Sequence, residues 1–358
     1  MLILVYGELS HMVVRAEPAQ GAVLSDAQHD KILKYLRERF GVPDTVKLTL
    51  GPLLPSPVVP GFNQAAVMVA DGKNQKSQPV LVSRDARFLV VVTGSIVDLP
   101  QDTPAEIAQR FHETYKTPDT LKLTVGASKP SASPAFNEAV LTMDDGKNKQ
   151  DRTLLITHDG KHMILSDLYP LGVDPRQLAL HNMALTGEPS VGPPNAPVTL
   201  VEYADLQCPT CARMHDFLET KLIPRYGNKL HVVFKEYPLP MHDWSFTAAI
   251  ADQCAYEINP SSYVPLRTLI FQNQQLINIA NLRDTLLNFG EQSGVDRVKL
   301  AGCLDSKASL SRIQRDMAEA KRINVASTPT VFINGRMIVG LPSEDAYYQA
   351  IDAALQGK

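Results

Sequence analysis

A chain of 358 residues, 44% hydrophobic and 20% charged, has the composition of a folded soluble protein and the length of two to three domains. The formal net charge of −3 argues against nucleic acid as a partner, and no apolar run reaches the ~18–20 residues of a membrane span. The opening Met1-Leu2-Ile3-Leu4-Val5-Tyr6 is too short for the apolar core of an export signal and lacks a basic flank, and His11-Met12 has the look of an expression-vector junction.

The first half of the chain is a repeat. Asp44-Thr45-Val46-Lys47-Leu48-Thr49 recurs 75 residues later as Asp119-Thr120-Leu121-Lys122-Leu123-Thr124, and Asp71-Gly72-Lys73-Asn74 recurs 74 residues later as Asp145-Gly146-Lys147-Asn148. Each copy opens on a predicted helix whose apolar residues fall four apart on one face: Ile32, Leu36 and Phe40, then Ile107, Phe111 and Tyr115. Ser25 or Asp26 is the expected cap of the first helix, and Thr103, Pro104 and Glu106 form a capping box for the second. In the second copy the predicted strands are 121–125, 139–143, 153–157 and 162–166, with hairpin turns at Asp145-Gly146 and Asp159-Gly160. Residues 20–100 and 101–173 are therefore expected to be two modules, each a helix followed by an antiparallel sheet of three to four strands.

Asp174-Pro175 opens a short helix through about Met183. The stretch from Gly187 to Pro197 is too rich in proline and glycine for regular structure and reads as a semi-rigid linker. Residues 174–196 thus connect the repeats to a third domain, 197–358.

That domain carries Cys208-Pro209-Thr210-Cys211, placed after the apolar run 198–203 and before a predicted helix. A cysteine at the first turn of a helix faces unpaired backbone N–H groups and the positive end of the helix dipole, which favour thiolate. Cys208 is the expected nucleophile. Cys211, on the same helix face, can attack a mixed disulfide formed at Cys208 and is the expected resolving thiol. Pro209 suits a helical position that needs no N–H. A structural zinc half-site is the competing reading, but a closed site usually needs four ligands and no second close Cys/His pair stands near Cys254 or Cys303. No metal is expected, and no cofactor beyond the Cys208–Cys211 disulfide itself. His215, four residues after Cys211, and His242, after Pro238-Leu239-Pro240, could stabilise a thiolate; solvated surface histidines are the plainer reading.

The blocks VTLVEYADLQCPTCARMHDF, HVVFKEYPLPMHDWSFTAA and INVASTPTVFINGRMIVG resemble, in order and spacing, the DsbA-like branch of the thioredoxin superfamily. The resemblance implies a thioredoxin fold with a helical insertion at about 245–322. It makes Thr328-Pro329 the family's cis-proline pair, which with Pro209 and Thr210 would meet the substrate. It makes Glu202 a buried acid beneath the active site and Lys235 its partner, able to move the proton of Cys211; a plain cross-strand ion pair is the alternative. It also implies a structural disulfide between Cys254 and Cys303, contributing about 3–4 kcal/mol by loop entropy, with two buried free thiols as the alternative. Pro-Thr between the cysteines lacks the histidine of the most oxidising relatives, so an intermediate redox poise is expected.

The second repeat ends LLITHDGKHMILSDLYPLGVDP, which resembles the N-terminal dimerisation domain of the DsbC/DsbG disulfide isomerases; the first copy, VLVSRDARFLVVVTGSIVDL, keeps the layout without the glycine and tyrosine. The fold class expected is therefore α+β and α/β: two tandem cystatin-like modules, then a thioredoxin domain. The function implied is a protein disulfide isomerase of the periplasm or another extracytoplasmic space. Its partners would be unfolded or wrongly bridged proteins, a thiol–disulfide redox partner and, if the repeats pair between chains, a second copy. A dithiol oxidase with accessory modules and a redox-linked chaperone are the alternatives.

Overall fold

The structure, a computed structural model, describes residues 25–72, 74–101, 103–146 and 149–357; Met1–Tyr6, His11-Met12, Lys73, Lys147 and Asn148 of the sequence reading lie outside them. The first repeat comprises α1 (Asp26–Arg39), β1 (Lys47–Leu50), β2 (Leu54–Pro55), β3 (Phe62–Ala70), β4 (Gln75–Ser83), β5 (Phe88–Val91) and β6 (Ile96–Asp98). The second comprises α2 (Pro104–Tyr115), β7 (Lys122–Val125), β8 (Lys129–Pro130), β9 (Phe136–Asp144), β10 (Lys149–Thr157), β11 (His162–Leu165) and β12 (Leu168–Pro170). The caps lie where side-chain chemistry puts them: the N–H of Gln28 donates to Ser25 Oγ at 3.3 Å and that of Glu106 to Thr103 Oγ1 at 3.3 Å. Ile32 and Leu36 of α1, and Ile107 and Phe111 of α2, are buried.

The two repeats are not self-contained. One sheet runs β1-β3-β4-β5-β12 and the other β6-β11-β10-β9-β7, so each repeat gives its last strand to the other's sheet. Tyr169 of β12 lies opposite Leu89, and Val97 of β6 opposite Met163. Between the sheets, residues at matching positions meet in one apolar cluster: Phe62 with Phe136, Leu81 with Leu155, Val90 with Ile164. The rings of Phe62 and Phe136 touch edge to face with centroids 5.2 Å apart. Contact of like residue with like is the mark of a two-fold interface, here built inside one chain. The expected boundary near residue 100 is corrected accordingly: it divides residues whose strands are exchanged.

The second unit begins at Pro175, and residues 38–42 group with it. It contains α3 (Pro175–His181), β13 (Ser190–Val191), β14 (Val198–Ala204), α4 (Pro209–Phe217), α5 (Ile223–Tyr226), β15 (Leu230–Glu236), α6 (Ser245–Ile258), α7 (Tyr263–Gln272), α8 (Leu282–Gln292), α9 (Arg297–Ser306), α10 (Leu310–Arg322), β16 (Thr330–Ile333), β17 (Arg336–Val339) and α11 (Glu344–Leu355). The sheet order is β13-β15-β14-β16-β17, with β14 and β15 parallel at the centre. Alternation along the strands divides the core: Val201, Tyr203 and Val233 face α3 and α10, whereas Leu200, Val232 and Phe234 face α4, α7 and α11. Helices α6 to α10 form the insertion between β15 and β16.

The expected proline-rich linker is also corrected. Ser190 and Val191 pair with Val233 and Val232, the Pro189 carbonyl accepts from the N–H of Phe234 at 2.9 Å, and Glu188 is buried. Four prolines within 187–197 do not prevent an edge strand, because an edge needs hydrogen bonds on one side only. Ala179 and Met183 of the helical part sit in the core beside Val201 and Tyr203, so the whole segment from Pro175 belongs to the second unit.

Candidate active site

The loop after β14 turns directly into α4. Cys208 is the N-cap residue with extended backbone (φ −76°, ψ 121°), and Pro209 takes the first helical position. The Asp205 carboxylate fixes this loop: it accepts from the N–H groups of Gln207 (2.7 Å) and Leu239 (2.6 Å), from Ser245 Oγ (2.6 Å), and pairs with His242 Nδ1 (2.8 Å). Gln274 braces it from the insertion, donating through Nε2 to the carbonyls of Leu206 (2.8 Å) and Cys208 (3.1 Å). Pro209 is exposed and Thr210 half-buried beside the sulfurs, with Thr210 Oγ1 accepting from Arg213 at 3.2 Å.

Both thiols are free, and they are unequal. Cys208 keeps 8% of its surface, while Cys211 is fully buried. The Cys211 thiol hydrogen-bonds to Cys208 and is the largest cause that pulls the Cys208 pKa down to about 5; backbone N–H groups of Cys211 and Thr210, and Thr328, add to it against the opposing effect of burial. For Cys211 burial dominates, and the neighbouring Cys208 and Glu202 charges act in the same direction, so its pKa lies well above the ordinary value. The N–H of Asp205 approaches Cys211 Sγ at 3.5 Å. The Thr328–Pro329 peptide is cis, with the Thr328 carbonyl oxygen 3.6 Å from Cys208 Sγ.

Glu202 is fully buried and neither carboxylate oxygen has a hydrogen-bond partner among the described residues. Desolvation raises its pKa to about 7, against the lowering influence of Arg267. The expected Glu202–Lys235 pairing is corrected. In the parallel register Glu202 lies opposite Phe234, and Tyr203 opposite Lys235, so the two side chains point to opposite faces of the sheet. Lys235 Nζ instead meets Asp316 (3.1 Å), Glu319 (3.2 Å) and Glu188 (3.3 Å). The cation facing Glu202 is Arg267 of α7, with its Nη2 3.8 Å from Glu202 Oε2. No local pattern marks Arg267 in the sequence, because its contacts lie on other elements.

His215 is likewise not a surface histidine. It is buried, Nε2 lies 2.8 Å from Thr268 Oγ1, and its ring stacks on Phe271 with centroids 5.1 Å apart. Burial, helped by the Arg267 charge, pushes its pKa down to about 3, so it is neutral. Cys254 of α6 and Cys303 of α9 are joined by a disulfide, with Cα atoms 5.9 Å apart. No group of three or more His, Cys, Asp or Glu suited to a metal ion occurs among the described residues, nor does any described helix have the length and apolarity to cross a membrane.

A family model described as Thioredoxin matches residues 185–353. Disulfide bond formation protein D of Bacillus subtilis is 26% identical over 179 residues, covering 49% of this chain and 80% of that protein. A Na(+)/H(+) antiporter NhaA of Herminiimonas arsenicoxydans is 30% identical over 166 residues, covering 46% of this chain; the chain spans only 25% of that protein's length. Among solved structures, oxidised BdbD of Bacillus subtilis is similar with a TM-score of 0.45 and 21% identity, covering 48% of this chain and 95% of that one. The match at residues 185–353 agrees with the thioredoxin-type sheet order and the CPTC loop described above.

Proposed function

We propose that this protein is a thiol–disulfide oxidoreductase of extracytoplasmic proteins, with Cys208 as nucleophile and Cys211 as resolving thiol. The observation that carries the reading is the inequality of the two sulfurs: a thiolate at a helix N-terminus that keeps 8% of its residue's surface, backed by a fully buried thiol. The Cys208 thiolate attacks a substrate disulfide. One substrate sulfur becomes bonded to Cys208 and the other leaves as a thiolate that takes a proton from water. Two exits follow. A second substrate thiolate attacks the mixed disulfide, restoring Cys208 and leaving a rearranged disulfide in the substrate, which is isomerisation. Alternatively Cys211 attacks Cys208 Sγ, the substrate leaves reduced, the Cys208–Cys211 disulfide forms, and the Cys211 proton passes to Glu202. Run in reverse, the second route oxidises a substrate dithiol. The backbone at Thr328-Pro329, facing Cys208 from across the site, is the surface on which an extended substrate is held, with Pro209 and Thr210 at its edge.

Isomerase activity is the leading form, because the second repeat resembles the DsbC/DsbG dimerisation domain and the repeats supply a second, cystatin-like part that exchange chemistry alone does not need. The low Cys208 pKa favours the alternative, a dithiol oxidase, since a stabilised thiolate stabilises the reduced state. Refolding of a scrambled multi-disulfide protein in glutathione buffer decides between them, with the full chain compared against residues 175–358. Activity confined to the full chain supports the isomerase. Equal, weak activity in both supports the oxidase. Cys211→Ser is expected to accumulate mixed disulfides with substrate proteins and Cys208→Ser none; the reverse pattern would exchange the two roles.

A further inference from the structure

Arg267 is the largest fully buried side chain of the described residues, and it sits in an aromatic cage, its guanidinium carbon 5.4 Å from the ring centre of Phe234, 5.7 Å from Tyr263 and 5.3 Å from Phe271. Three carboxylates surround it. Its Nη1 donates to Glu236 Oε1 at 2.6 Å and to Asp252 Oδ2 at 2.8 Å, and Nη2 faces Glu202. The Tyr263 hydroxyl donates to Glu236 Oε1 at 3.1 Å. All four ionisable side chains are fully buried. One positive charge against three negative ones in such a place is not sustainable, and a group so placed neutralises itself by holding a proton. Glu236 Oε1 and Asp252 Oδ2 meet at the same Nη1, so two fully buried carboxyls stand side by side, the arrangement in which a pair holds one proton between them.

We propose that Glu236 and Asp252 share one proton across Arg267, and that these three are positioning residues which leave Glu202 as the single site that gains or loses the Cys211 proton. The inference rests on the reading of Cys211 as resolving thiol and Glu202 as its acceptor. With the shared proton in place, the cluster carries one negative charge while Glu202 is ionised and none once it has taken the proton from Cys211. Proton transfer thus removes a buried net charge. Burial raises the pKa of Glu236 to about 8 and that of Asp252 also, in keeping with a pair that holds its proton while Glu202 titrates. The other ionisable groups that face the cluster are Cys208, neutral His215, Glu219 and Tyr347. The unpartnered atoms of the cluster are both oxygens of Glu202, Oε2 of Glu236, Oδ1 of Asp252, and Nε and Nη2 of Arg267; they mark where the network is open to rearrangement, and they leave Glu236 Oε1 and Asp252 Oδ2, the two oxygens on Nη1, as the pair that would hold the shared proton.

The test uses the full chain and its lone tryptophan, Trp244, which packs in the same apolar cluster as Cys208 and Cys211. Reduced protein is mixed with oxidised glutathione, and closure of the Cys208–Cys211 disulfide is followed by Trp244 fluorescence against pH. In the unsubstituted chain the closure rate is expected to rise through a midpoint set by Glu202. Glu236→Gln and Asp252→Asn, each alone, are expected to leave that midpoint in place, since one negative charge survives on the pair either way. The double variant removes it and lowers the midpoint by about one unit or more, whereas Arg267→Gln raises it by a similar amount and Arg267→Lys restores most of the shift. Alkylation of Cys208 should be unmoved in the single variants. Should Arg267→Gln not fold, the two single variants and the double one still decide. A single variant that shifts the midpoint as far as the double one overturns proton sharing and leaves the proposed function intact. A rate in the unsubstituted chain that is flat with pH overturns the Glu202 role as well.

Discussion

The two faces of the β14–β15 pair hold clusters of the same composition with different surroundings. On one face Arg267 meets Glu202, Glu236 and Asp252; on the other Lys235 meets Glu188, Asp316 and Glu319. Only the first lies against the cysteines: the Glu202 charge is felt at Cys211, whereas Lys235 and its carboxylates line a cavity of about 310 Å³ bounded by Gly187, Arg312 and Arg315. Strand alternation alone makes this division, since neighbouring residues on one strand serve opposite faces. On the proposed reading, a buried charge cluster serves the chemistry because of what it faces, while its twin on the other face serves the structure.

The comparison yields effects of graded size. Lys235→Met takes the cation from Asp316 and Glu319, while Glu188 keeps Arg312 at 2.8 Å, and should cost about 3–5 kcal/mol of unfolding free energy, while disulfide closure stays unchanged. Denaturant unfolding and the fluorescence assay check this together; slowed closure would make the Lys235 cluster part of the chemistry. Glu202→Gln should do the opposite, slowing closure about 100-fold at neutral pH with little loss of stability. The effect of His215 is absent at neutral pH and seen only in acid. Its folded pKa of about 3 lies below the 6.5 of the unfolded chain, so the stability it confers is complete above 6.5 and is lost as pH falls towards 3. His215→Gln should flatten that part of the stability profile and leave the neutral value nearly unchanged.

What the sequence makes legible, and what it hides, follows from distance along the chain. The CPTC loop, both repeat helices with their caps, and the long hairpins are written in residues near each other, and the structure has them close to where the patterns put them. The exchange of β6 and β12 is hidden because a three-residue strand shows the same alternation whichever sheet receives it. The Lys235 assignment fails on parity: resemblance supplied a lysine on the neighbouring strand, but the parallel register turns it away from Glu202. Arg267 and the buried state of His215 depend on the helical insertion folding over α4, which no local spacing records. The strand at Ser190 and Val191 was masked by prolines that an edge position tolerates.

The repeats add a second contrast, since their pairing inside one chain offers to each the partner that a second copy would otherwise supply. A solution mass near 39 kDa by light scattering at micromolar concentration is expected. Twice that mass would mean that the strands exchange between chains.

The most direct test of the account is the pH dependence of alkylation of the reduced, unsubstituted protein, with the modified cysteine identified by mass spectrometry. The account predicts rapid modification of Cys208 alone, with a midpoint near 5, and a Cys211 thiol that stays unreactive through neutral pH. Equal modification of both cysteines, or a Cys208 midpoint near the ordinary thiol value, would contradict it.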